Sequence, residues 1–435
     1  MSTPPNDENP DSRLAVWRRL AAADAEALRQ DAADVIAVGV DPAGIARLRK
    51  KHPGMPTTEA LELADARRRG RSKFAEPERL LLDRQGVEQA SGSVVARWKA
   101  SRFGSDAVLD LCCGIGGDAM ALAARGPCVA VDRDPVRAFM AGRNAGVVTR
   151  VEAVEDVEIE AGLVHLDPAR RDESTGRRHW GLEDLVPSLE VIRSIVSRAN
   201  GAGVKLGPGL PRPFPELHER QSISFVSESE RLVQAVVWTG SLARTAGIEA
   251  VDLPSGETLE GEPGSIPVGG AEAIFEARDR ARCDLALVTF HPAVERGELG
   301  PVAWRAEYGS APLREPAAGL GLGIIEASAI EARPVNHGIR WCRPTRLLRI
   351  VSPRIDAIGQ AIEDLVAEWD GARPARIVVK TRAGAVDADD WTRRLGRLDA
   401  RASETNAGPS ATSTLEVHGL RIGRRTIACI GVPMP

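Results

Sequence analysis

The residues Val108-Leu-Asp-Leu-Cys-Cys-Gly-Ile-Gly-Gly-Asp118 set the fold class that we expect for this chain. A short apolar run enters a glycine-rich turn, and the helix-forming residues AMALAARG follow it. Glycine lets the backbone adopt positive φ angles and lets a ligand approach closely. The N–H groups at the start of the helix can face an anionic or polar ligand. The pattern therefore predicts a strand, a ligand-binding turn and a helix.

The next apolar run, Cys128-Val-Ala-Val-Asp132, ends in an acid. A carboxylate at the tip of this strand can accept hydrogen bonds from both ribose hydroxyls of a nucleoside. Two ligands fit the two motifs. Gly114-Ile-Gly-Gly-Asp-Ala119 matches the dinucleotide fingerprint GxGxxA, in which Asp132 would hold an NAD ribose. The acid four residues before the first glycine, Asp110, favours S-adenosylmethionine instead, because NAD sites usually lack that acid. Asp110 would then face the ammonium of the ligand.

Strand-like runs alternate with helix-like segments from residue 104 onwards, and the runs are AVLDL, PCVAVD, GLVHLD and GVKLG. This alternation predicts a mainly parallel sheet that is covered on both faces. Two further runs, near 222–227 and 232–238, are close enough to form a hairpin. An antiparallel pair after alternating units predicts an α/β fold with a Rossmann-like, seven-stranded methyltransferase sheet.

A third motif, Gly162-Leu-Val-His-Leu-Asp-Pro-Ala-Arg-Arg171, puts an Asp-Pro pair at the carboxyl edge of the predicted sheet, where open α/β folds bind ligands. Methyltransferases that act on the amino groups of bases often carry a related motif here, whose carboxylate and proline carbonyl hold the amine. A dehydrogenase has no need of it. The motif thus favours methyl transfer, with Asp167 orienting the acceptor or taking its proton. The predicted catalytic residues are Asp167, Pro168 and Arg170.

The acceptor side departs from that motif, because no aromatic residue stands at its fourth position. Arg170 could pair with a phosphate or stack on a base. His179 and Trp180 follow in a charged loop, which either supplies a stacking platform or is a solvated turn. Lys205, at the end of the fifth strand, either faces the pocket or snorkels at the sheet edge. The predicted substrate-binding residues are Arg171, His179, Trp180 and Lys205.

Methyl transfer from a sulfonium is an in-line displacement, in which the enzyme aligns the acceptor and excludes water. Glu155 and Asp156 should follow the third strand, where they would contact adenine or form an exposed acidic loop. The predicted donor-binding residues are Asp110, Cys113, Gly114, Gly116, Gly117, Asp118, Asp132, Arg133, Glu155, Asp156 and Asp167.

The region before the sheet has a different composition. Residues 1–10 are polar and acidic, and they predict a disordered tail. Residues 11–103 are rich in Ala, Leu, Arg and Glu at helical spacing, and Pro42 and Pro53 divide them into shorter helices.

The methyltransferase domain is expected over 104–252, followed by a Gly-, Pro-, Ser- and Glu-rich linker over 253–270. Residues 271–435 predict an α+β region. Its strand-like runs are ALVTFHP, RLLRIV, ARIVVKTR, STLEVHG and RTIACIG, and its helix-like segments are Asp356–Trp369 and Asp387–Leu398.

Composition narrows the protein class. The chain has 435 residues and a net charge of −4, which neither predicts nor excludes a nucleic-acid partner. It lacks an apolar stretch of about 18 residues, and its N-terminus is too polar for a signal peptide. Its six cysteines form no CxxC pair. We therefore expect a cytoplasmic protein with reduced thiols, no membrane segment and no metal. The oligomeric state stays open.

The segments DLCCGIGGDAMALAA, VAVDRDPVRAFMAGRNA and VHLDPARRD resemble class I S-adenosylmethionine-dependent methyltransferases that carry a C-terminal THUMP-like domain. The lead-in LLLDRQGVEQASGSVVARWKASRF and VKLGPGLP are similar to the same family. ARIVVKTRAGAVDADDWTRRL and ATSTLEVHGLRIGRRTIACI resemble the THUMP-like unit, which would span about 341–435. Residues 263–340 match poorly.

The resemblance implies S-adenosyl-L-methionine as cofactor and a structured RNA, tRNA or rRNA, as substrate, since related THUMP domains bind RNA. Clustered bases are the groups that phosphate contacts need, although solvated helix and strand ends are the alternative. A methyltransferase of a protein or small molecule and a non-catalytic S-adenosylmethionine-binding protein remain alternatives. The clustered bases are Arg67, Arg68, Arg69, Arg71 and Lys73, and Lys380, Arg382, Arg421, Arg424 and Arg425.

Overall fold

The structure is a computed structural model. It describes residues 10–159, 162–170, 182–245, 247–269, 271–278, 283–308, 313–316, 320–331, 341–369, 373–382, 384–400 and 414–434. The chain divides into two compact units, Met1–Gly256 and Glu257–Pro435. The domain limits drawn from the sequence, including the linker over 253–270, stay predictions.

The first unit begins with helices, as the spacing of apolar residues predicts. Pro42 is the first residue of one of them, where its missing N–H leaves no hydrogen bond unmade. Leu28 and Leu63 are buried in a core that they share with Ile115 and Met140, so the helical segment packs on the glycine turn. The helices are α1 (Pro10–Ala21), α2 (Glu26–Val38), α3 (Pro42–Lys51), α4 (Thr57–Gly70), α5 (Arg84–Gln89) and α6 (Ser93–Phe103), with 3-10 turns at Ala23–Ala25 and Pro77–Arg79.

The central sheet follows. Its strands up to Leu253 lie in the first unit, and its last strand in chain order, Thr258–Gly261, comes after the boundary at Gly256. Its elements and their connections are β1 (Val108–Leu111), α7 (Gly117–Ala123), β2 (Cys128–Asp132), α8 (Pro135–Ala145), β3 (Val148–Val151), β4 (Leu163–Leu166), β5 (Ala169–Arg170), β6 (Leu185–Val186), α9 (Leu189–Arg198), β7 (Gly201–Leu206), β8 (Gln221–Glu228), β9 (Arg231–Gly240), β10 (Ile248–Leu253) and β11 (Thr258–Gly261). The strands β3, β2, β1, β4 and β7 are parallel neighbours. The strands β8 and β9 form the predicted antiparallel hairpin, and β5 pairs with β6 in a small separate sheet.

The sheet has nine strands, in the order β11-β10-β8-β9-β7-β4-β1-β2-β3, so the prediction of seven strands is wrong in number. The additional strands lie beyond the hairpin, where β10 pairs in parallel with β8. Parallel partners are joined by long connections rather than tight turns, so local sequence patterns do not reveal them. The α/β class itself is confirmed.

The second unit is built on a six-stranded sheet with the order β13-β12-β14-β17-β16-β15. Each of the five predicted apolar runs overlaps one of its strands, and a helix lies at each of the two predicted helical segments. Its elements are α10 (Ala271–Ala277), β12 (Leu285–Phe290), α11 (Pro292–Arg296), α12 (Gly300–Tyr308), β13 (Leu322–Glu326), α13 (Ser328–Glu331), β14 (Cys342–Val351), α14 (Ile355–Glu368), β15 (Arg376–Thr381), α15 (Ala388–Ala400), β16 (Thr414–Ile422) and β17 (Arg425–Pro433).

None of the helices in the described part of the chain has both the length and the apolarity that crossing a membrane requires.

Candidate active site

The turn between β1 and α7 is shaped by its glycines. Gly114 and Gly116 have φ angles of +55° and +86°, which L-residues with side chains rarely adopt. A Cβ on Gly116 would lie 2.9 Å from Cα of Ala141, and one on Gly117 would lie 3.2 Å from Cβ of Ala90. These two glycines therefore permit close packing of neighbouring backbone. A Cβ on Gly114 would meet nothing within 4 Å, so the turn is open to a ligand at Gly114.

Asp132 lies directly beside this open position. Its Oδ2 accepts a hydrogen bond from the backbone N–H of Gly114 at 2.9 Å, and its Oδ1 accepts one from Asp134 at 2.9 Å. Burial raises the pKa of the Asp132 carboxyl, while the two backbone N–H groups favour its charged form. Each carboxylate oxygen keeps a second lone pair for a ribose hydroxyl. The geometry thus suits the predicted contact with a nucleoside.

Asp110 lies beneath the turn and is fully buried. Its Oδ1 is 2.7 Å from Nδ1 of His165, which stands one residue before the end of β4. Its Oδ2 is buried without a hydrogen-bond partner among the described residues. Burial raises the pKa of Asp110, and His165 opposes that shift. The Asp110 carboxyl group is thus hydrogen-bonded to His165. The contact of Asp110 with the ammonium of a ligand stays a prediction.

A buried lysine completes this polar cluster, and the sequence analysis missed it. Nζ of Lys99 lies 2.7 Å from Oδ1 of Asp118, 3.0 Å from Oγ of Ser91 and 3.3 Å from Nε2 of His165. Lys99 is 1% exposed, and its charge is offset by Asp118. The available signals were His165, a polar residue inside the apolar run of β4, and Lys99, on an otherwise apolar face of α6.

Asp167 and Lys205 form an ion pair at the carboxyl edge of the sheet. Nζ of Lys205 is 2.6 Å from Oδ2 of Asp167 and 3.2 Å from the carbonyl oxygen of Gln89. Burial lowers the pKa of the Lys205 ammonium, but the carboxylates of Asp167, Asp118 and Asp110 together hold it above the ordinary lysine value. The backbone N–H of Asp167 donates to the carbonyl of Leu111 at 3.2 Å. The Asp-Pro pair therefore lies beside the end of β1, where the glycine turn begins.

A segment before the sheet, residues 81–91, covers the glycine turn, and we call it the strap. Asn144 holds both elements, since its Nδ2 donates to the carbonyls of Leu81 at 2.9 Å and Ile115 at 2.8 Å. A Cβ on Gly86 would lie 2.3 Å from Cγ2 of Ile115, so glycine permits this contact. Nζ of Lys73 donates to three carbonyls of the strap at 2.6 to 2.9 Å. Sequence reasoning had assigned this segment only to the helical lead-in.

The remaining predicted site residues have varied positions. Cys113 is buried, and burial raises the pKa of its thiol. Arg170 lies in β5 with Leu185 as its strand partner. The exposed predicted residues are Arg133, Glu155 and Asp156. Those that lie outside the described residues are Arg171, His179 and Trp180. The search of the described residues finds no cluster of His, Cys, Asp and Glu that could hold a metal ion.

The residues present fit S-adenosylmethionine. The open space at Gly114 admits a ligand next to the turn, and Asp132 can bind a ribose there. The buried Oδ2 of Asp110 marks an unsatisfied acceptor in the floor of the same site. The roles of individual residues in donor binding stay predictions.

Comparison with known proteins gives the family. No family model matches the chain. Two proteins of Mycobacterium tuberculosis, from strains CDC 1551 and H37Rv, are each named an uncharacterised S-adenosylmethionine-dependent methyltransferase, and both are 30% identical to this chain over 321 residues. The match covers 70% of this chain and 85% of each relative.

The fold also has a counterpart among solved structures. The crystal structure of a candidate methyltransferase from Porphyromonas gingivalis W83 covers 98% of both chains, with a TM-score of 0.55 and 16% sequence identity. That likeness shows the fold, and the two mycobacterial relatives show the family. The chain belongs to the S-adenosylmethionine-dependent methyltransferases, enzymes that use S-adenosyl-L-methionine as methyl donor.

Proposed function

We propose that this enzyme methylates a nucleobase of structured RNA, such as tRNA or rRNA, in the cytoplasm. The observation that carries the proposal is the place of Asp167 and Pro168 directly after β4, where the backbone N–H of Asp167 donates to the carbonyl of Leu111, the last residue of β1. An acceptor held by Asp167 would lie next to a donor bound at Gly114 and Asp132. The six cysteines are free, which suits the reducing cytoplasm.

The proposed roles follow from this placement. Bound S-adenosylmethionine supplies an electrophilic methyl group on a sulfonium. Asp167 orients the acceptor nitrogen along the line of displacement and takes its proton. The carbonyl of Pro168 accepts a second hydrogen bond from the base, and Arg170 pairs with a phosphate or stacks on the base. Asp132, which is fixed by two backbone N–H groups, binds the ribose of the donor.

We propose that the second unit acts as a THUMP-like RNA-binding domain. Exposed arginines on one of its hairpins support this proposal. The tip of the β16–β17 hairpin carries Arg421, Arg424 and Arg425, which are exposed. Among the described residues, no acid pairs with Arg421 or Arg424. Exposed guanidinium groups are suited to phosphate contacts. Lys380 and Arg382 are less available, because they pair with carboxylates of the same unit.

The basic run of the helical segment gives weaker support than the sequence indicates. Each of its five bases has an intramolecular partner, so its charge is partly compensated. Arg67 donates to the carbonyl of Leu80, Arg68 and Arg69 pair with Asp65, Arg71 pairs with Glu78, and Lys73 donates to the strap.

The test is transfer of a tritiated methyl group. RNA from a strain that lacks the gene should accept label from the purified enzyme, whereas RNA from the wild-type strain should accept little, because its sites are already methylated. The Asp132→Ala enzyme is the control and should label neither RNA. If RNA stays unlabelled while a protein or metabolite fraction takes up the label, the enzyme acts on that other class of substrate and the proposal fails.

A further inference from the structure

We infer that the methylated atom is a lactam nitrogen, N1 of guanine or N3 of uracil, and not an exocyclic amine. The inference rests on the proposed function and names the chemical group on which the same site acts. It is carried by the ion pair between Asp167 and Lys205.

The pair presents a hydrogen-bond acceptor and a donor side by side. Asp167 directly follows β4, Lys205 lies in β7, and the two strands are parallel neighbours, so both side chains reach the carboxyl edge of the sheet. Nζ of Lys205 lies 2.6 Å from Oδ2 of Asp167, with side chains 15% and 27% exposed. An ammonium has three donors, and the described partners of Lys205, Asp167 and the Gln89 carbonyl, use two of them.

Among the described side chains, the other two lysines near this pair are already engaged. Lys99 is buried against Asp118, and the three donors of Lys73 go to backbone carbonyls of the strap. The carboxyls of Asp118 and Asp110 also face Lys205, and they are held by Lys99 and by a hydrogen bond with His165, respectively. Of these three described lysines, Lys205 is therefore the one with a donor left for a substrate.

Hydrogen bonding limits which base can be the methyl acceptor. The base must have an edge on which a hydrogen-bond donor lies next to a hydrogen-bond acceptor. The lactam edge of guanine or uracil offers an N–H to Asp167 and a carbonyl oxygen to Lys205. The amidine edge of adenine or cytosine also offers a donor and an acceptor, so hydrogen bonds alone do not choose between them.

The charge that develops in the transition state distinguishes the lactam edge from the amidine edge. An exocyclic amine becomes more positive as it is methylated, and the ammonium of Lys205 opposes that change. A lactam nitrogen must lose its proton, so negative charge develops on the adjacent carbonyl oxygen, and a fixed ammonium at that oxygen stabilises it. The Asp167–Lys205 pair thus favours an acceptor that is deprotonated.

The atoms and charges balance in this step. The N–H bond of the base breaks and its proton moves to a carboxylate oxygen of Asp167. The freed electron pair forms the new N–C bond as the S–C bond breaks, and the electrons of that bond remain on sulfur. Asp167 is partly exposed and returns the proton to water.

The test is the identity of the methylated nucleoside. RNA from the deletion strain is labelled with the wild-type enzyme, digested to nucleosides and separated by liquid chromatography with mass spectrometry. We expect N1-methylguanosine or N3-methyluridine. Label on an exocyclic amine or a ribose hydroxyl would overturn the inference while RNA methylation stands. No label in RNA, with donor binding intact by calorimetry, would overturn the proposed function itself.

A set of lysine variants tests the role of Lys205. Lys205→Met should lower kcat about 100-fold near neutral pH, as removal of a transition-state donor does. Its activity should recover as rising pH ionises the lactam without help, and Lys205→Arg should restore most of it. Lys51→Met, which removes a lysine paired with Asp31 at 2.7 Å, is the matched control and should change neither kcat nor its dependence on pH.

A second measurement does not depend on turnover. A short RNA that carries the identified base is titrated with enzyme in the absence of the methyl donor, and the ionisation of its imino group is followed by ultraviolet absorbance. Wild-type enzyme should lower the pKa of the bound base, and Lys205→Met should not. Identical titrations for the two enzymes would overturn the inference.

Discussion

Nζ of Lys99 lies 2.7 Å from Oδ1 of Asp118, and this buried ion pair joins the last helix before the sheet to the helix that follows the glycine turn. Burial lowers the pKa of Lys99. Burial alone would raise the pKa of Asp118, but Lys99 and His165 hold it well below its usual range. The charged states of the two residues therefore depend on each other, and the pair connects the lead-in helices to the helix after the glycine turn.

Replacing either Lys99 or Asp118 alone should lower the free energy of unfolding much more than replacing both residues together. Lys99→Met leaves the Asp118 carboxylate buried without its cation, which typically costs about 3–5 kcal/mol of the free energy of unfolding. The double variant Lys99→Met/Asp118→Asn should recover a large part of that loss, because no charge stays buried. Urea unfolding of the two single variants and the double variant measures the coupling. Additive losses would show that the two side chains act independently.

Gly114→Ala should weaken donor binding with only a small loss of stability. Gly114 has positive φ and open space around its Cβ position, so alanine there costs about 1–2 kcal/mol of backbone strain. The new methyl group would project into the space that we assign to the methyl donor. Calorimetry with S-adenosylmethionine and urea unfolding separate the two effects.

Gly146→Ala is the matched control. Gly146 also has positive φ, at +68°, and nothing lies within 4 Å of its Cβ position, but it caps the end of α8. The two variants should lose similar stability, and only Gly114→Ala should lose donor affinity. Unchanged donor affinity in Gly114→Ala would mean that the donor does not bind at this face of the turn.

Local sequence patterns predict those candidate site residues that belong to one strand and the turn directly after it. The glycines and Asp132 are visible because a strand, a turn and an acid at the next strand tip follow one another in the chain. Asp167 and Pro168 are visible for the same reason, since they end an apolar run. The parallel order of the strands explains why these separate motifs meet at one edge.

Contacts between distant segments were not visible. Lys99 and Asp118 pair across α6 and α7, and although Lys99 interrupts an apolar face of α6, no local pattern identifies Asp118 as its partner. The strap covers the glycine turn through Asn144 and Gly86, whose partners are set by tertiary packing. The parallel pairing of β10 with β8 is non-local in the same way, which is why the strand number was underestimated.

Charge reversal at the exposed hairpin should weaken RNA binding. Arg421→Glu/Arg424→Glu replaces two exposed cations by anions without disturbing a described ion pair. If both arginines contact phosphates, the affinity for deletion-strain tRNA should fall, and the slope of log K against log salt should decrease in magnitude by about 2. Filter binding over a series of salt concentrations measures both quantities. Circular dichroism should be unchanged, because the turn is exposed.

The control for that measurement is Arg68→Glu/Arg69→Glu. Both arginines already pair with Asp65, so their reversal should change tRNA affinity less than reversal at the hairpin does. A larger loss in this control than in the hairpin variant would place the RNA contacts on the helical segment and count against the proposed role of the second unit.

Because of Glu416, the second unit should become less stable as the pH falls into the acid range. Burial would raise the pKa of its carboxyl, but hydrogen bonds from His418, Lys380 and Thr345, at 2.9, 2.6 and 2.7 Å, lower it to about 2. The pKa in the folded state is thus below the unfolded value of about 4.3. The stabilising contribution is therefore complete above the unfolded pKa and is lost as pH falls towards about 2.

Glu416→Gln tests this sign. A shift of roughly two pKa units corresponds to on the order of 3 kcal/mol, so the variant should be less stable than wild type near neutral pH, and the difference should shrink as pH falls from about 5 towards 2. Glu363→Gln is the control, because Glu363 pairs with Arg373 at 2.8 Å while 45% exposed and should contribute less than about 1 kcal/mol. Urea unfolding at several pH values measures the differences. A gap between wild type and Glu416→Gln that stays constant with pH would mean that the Glu416 carboxyl does not titrate with a lowered pKa in the folded unit.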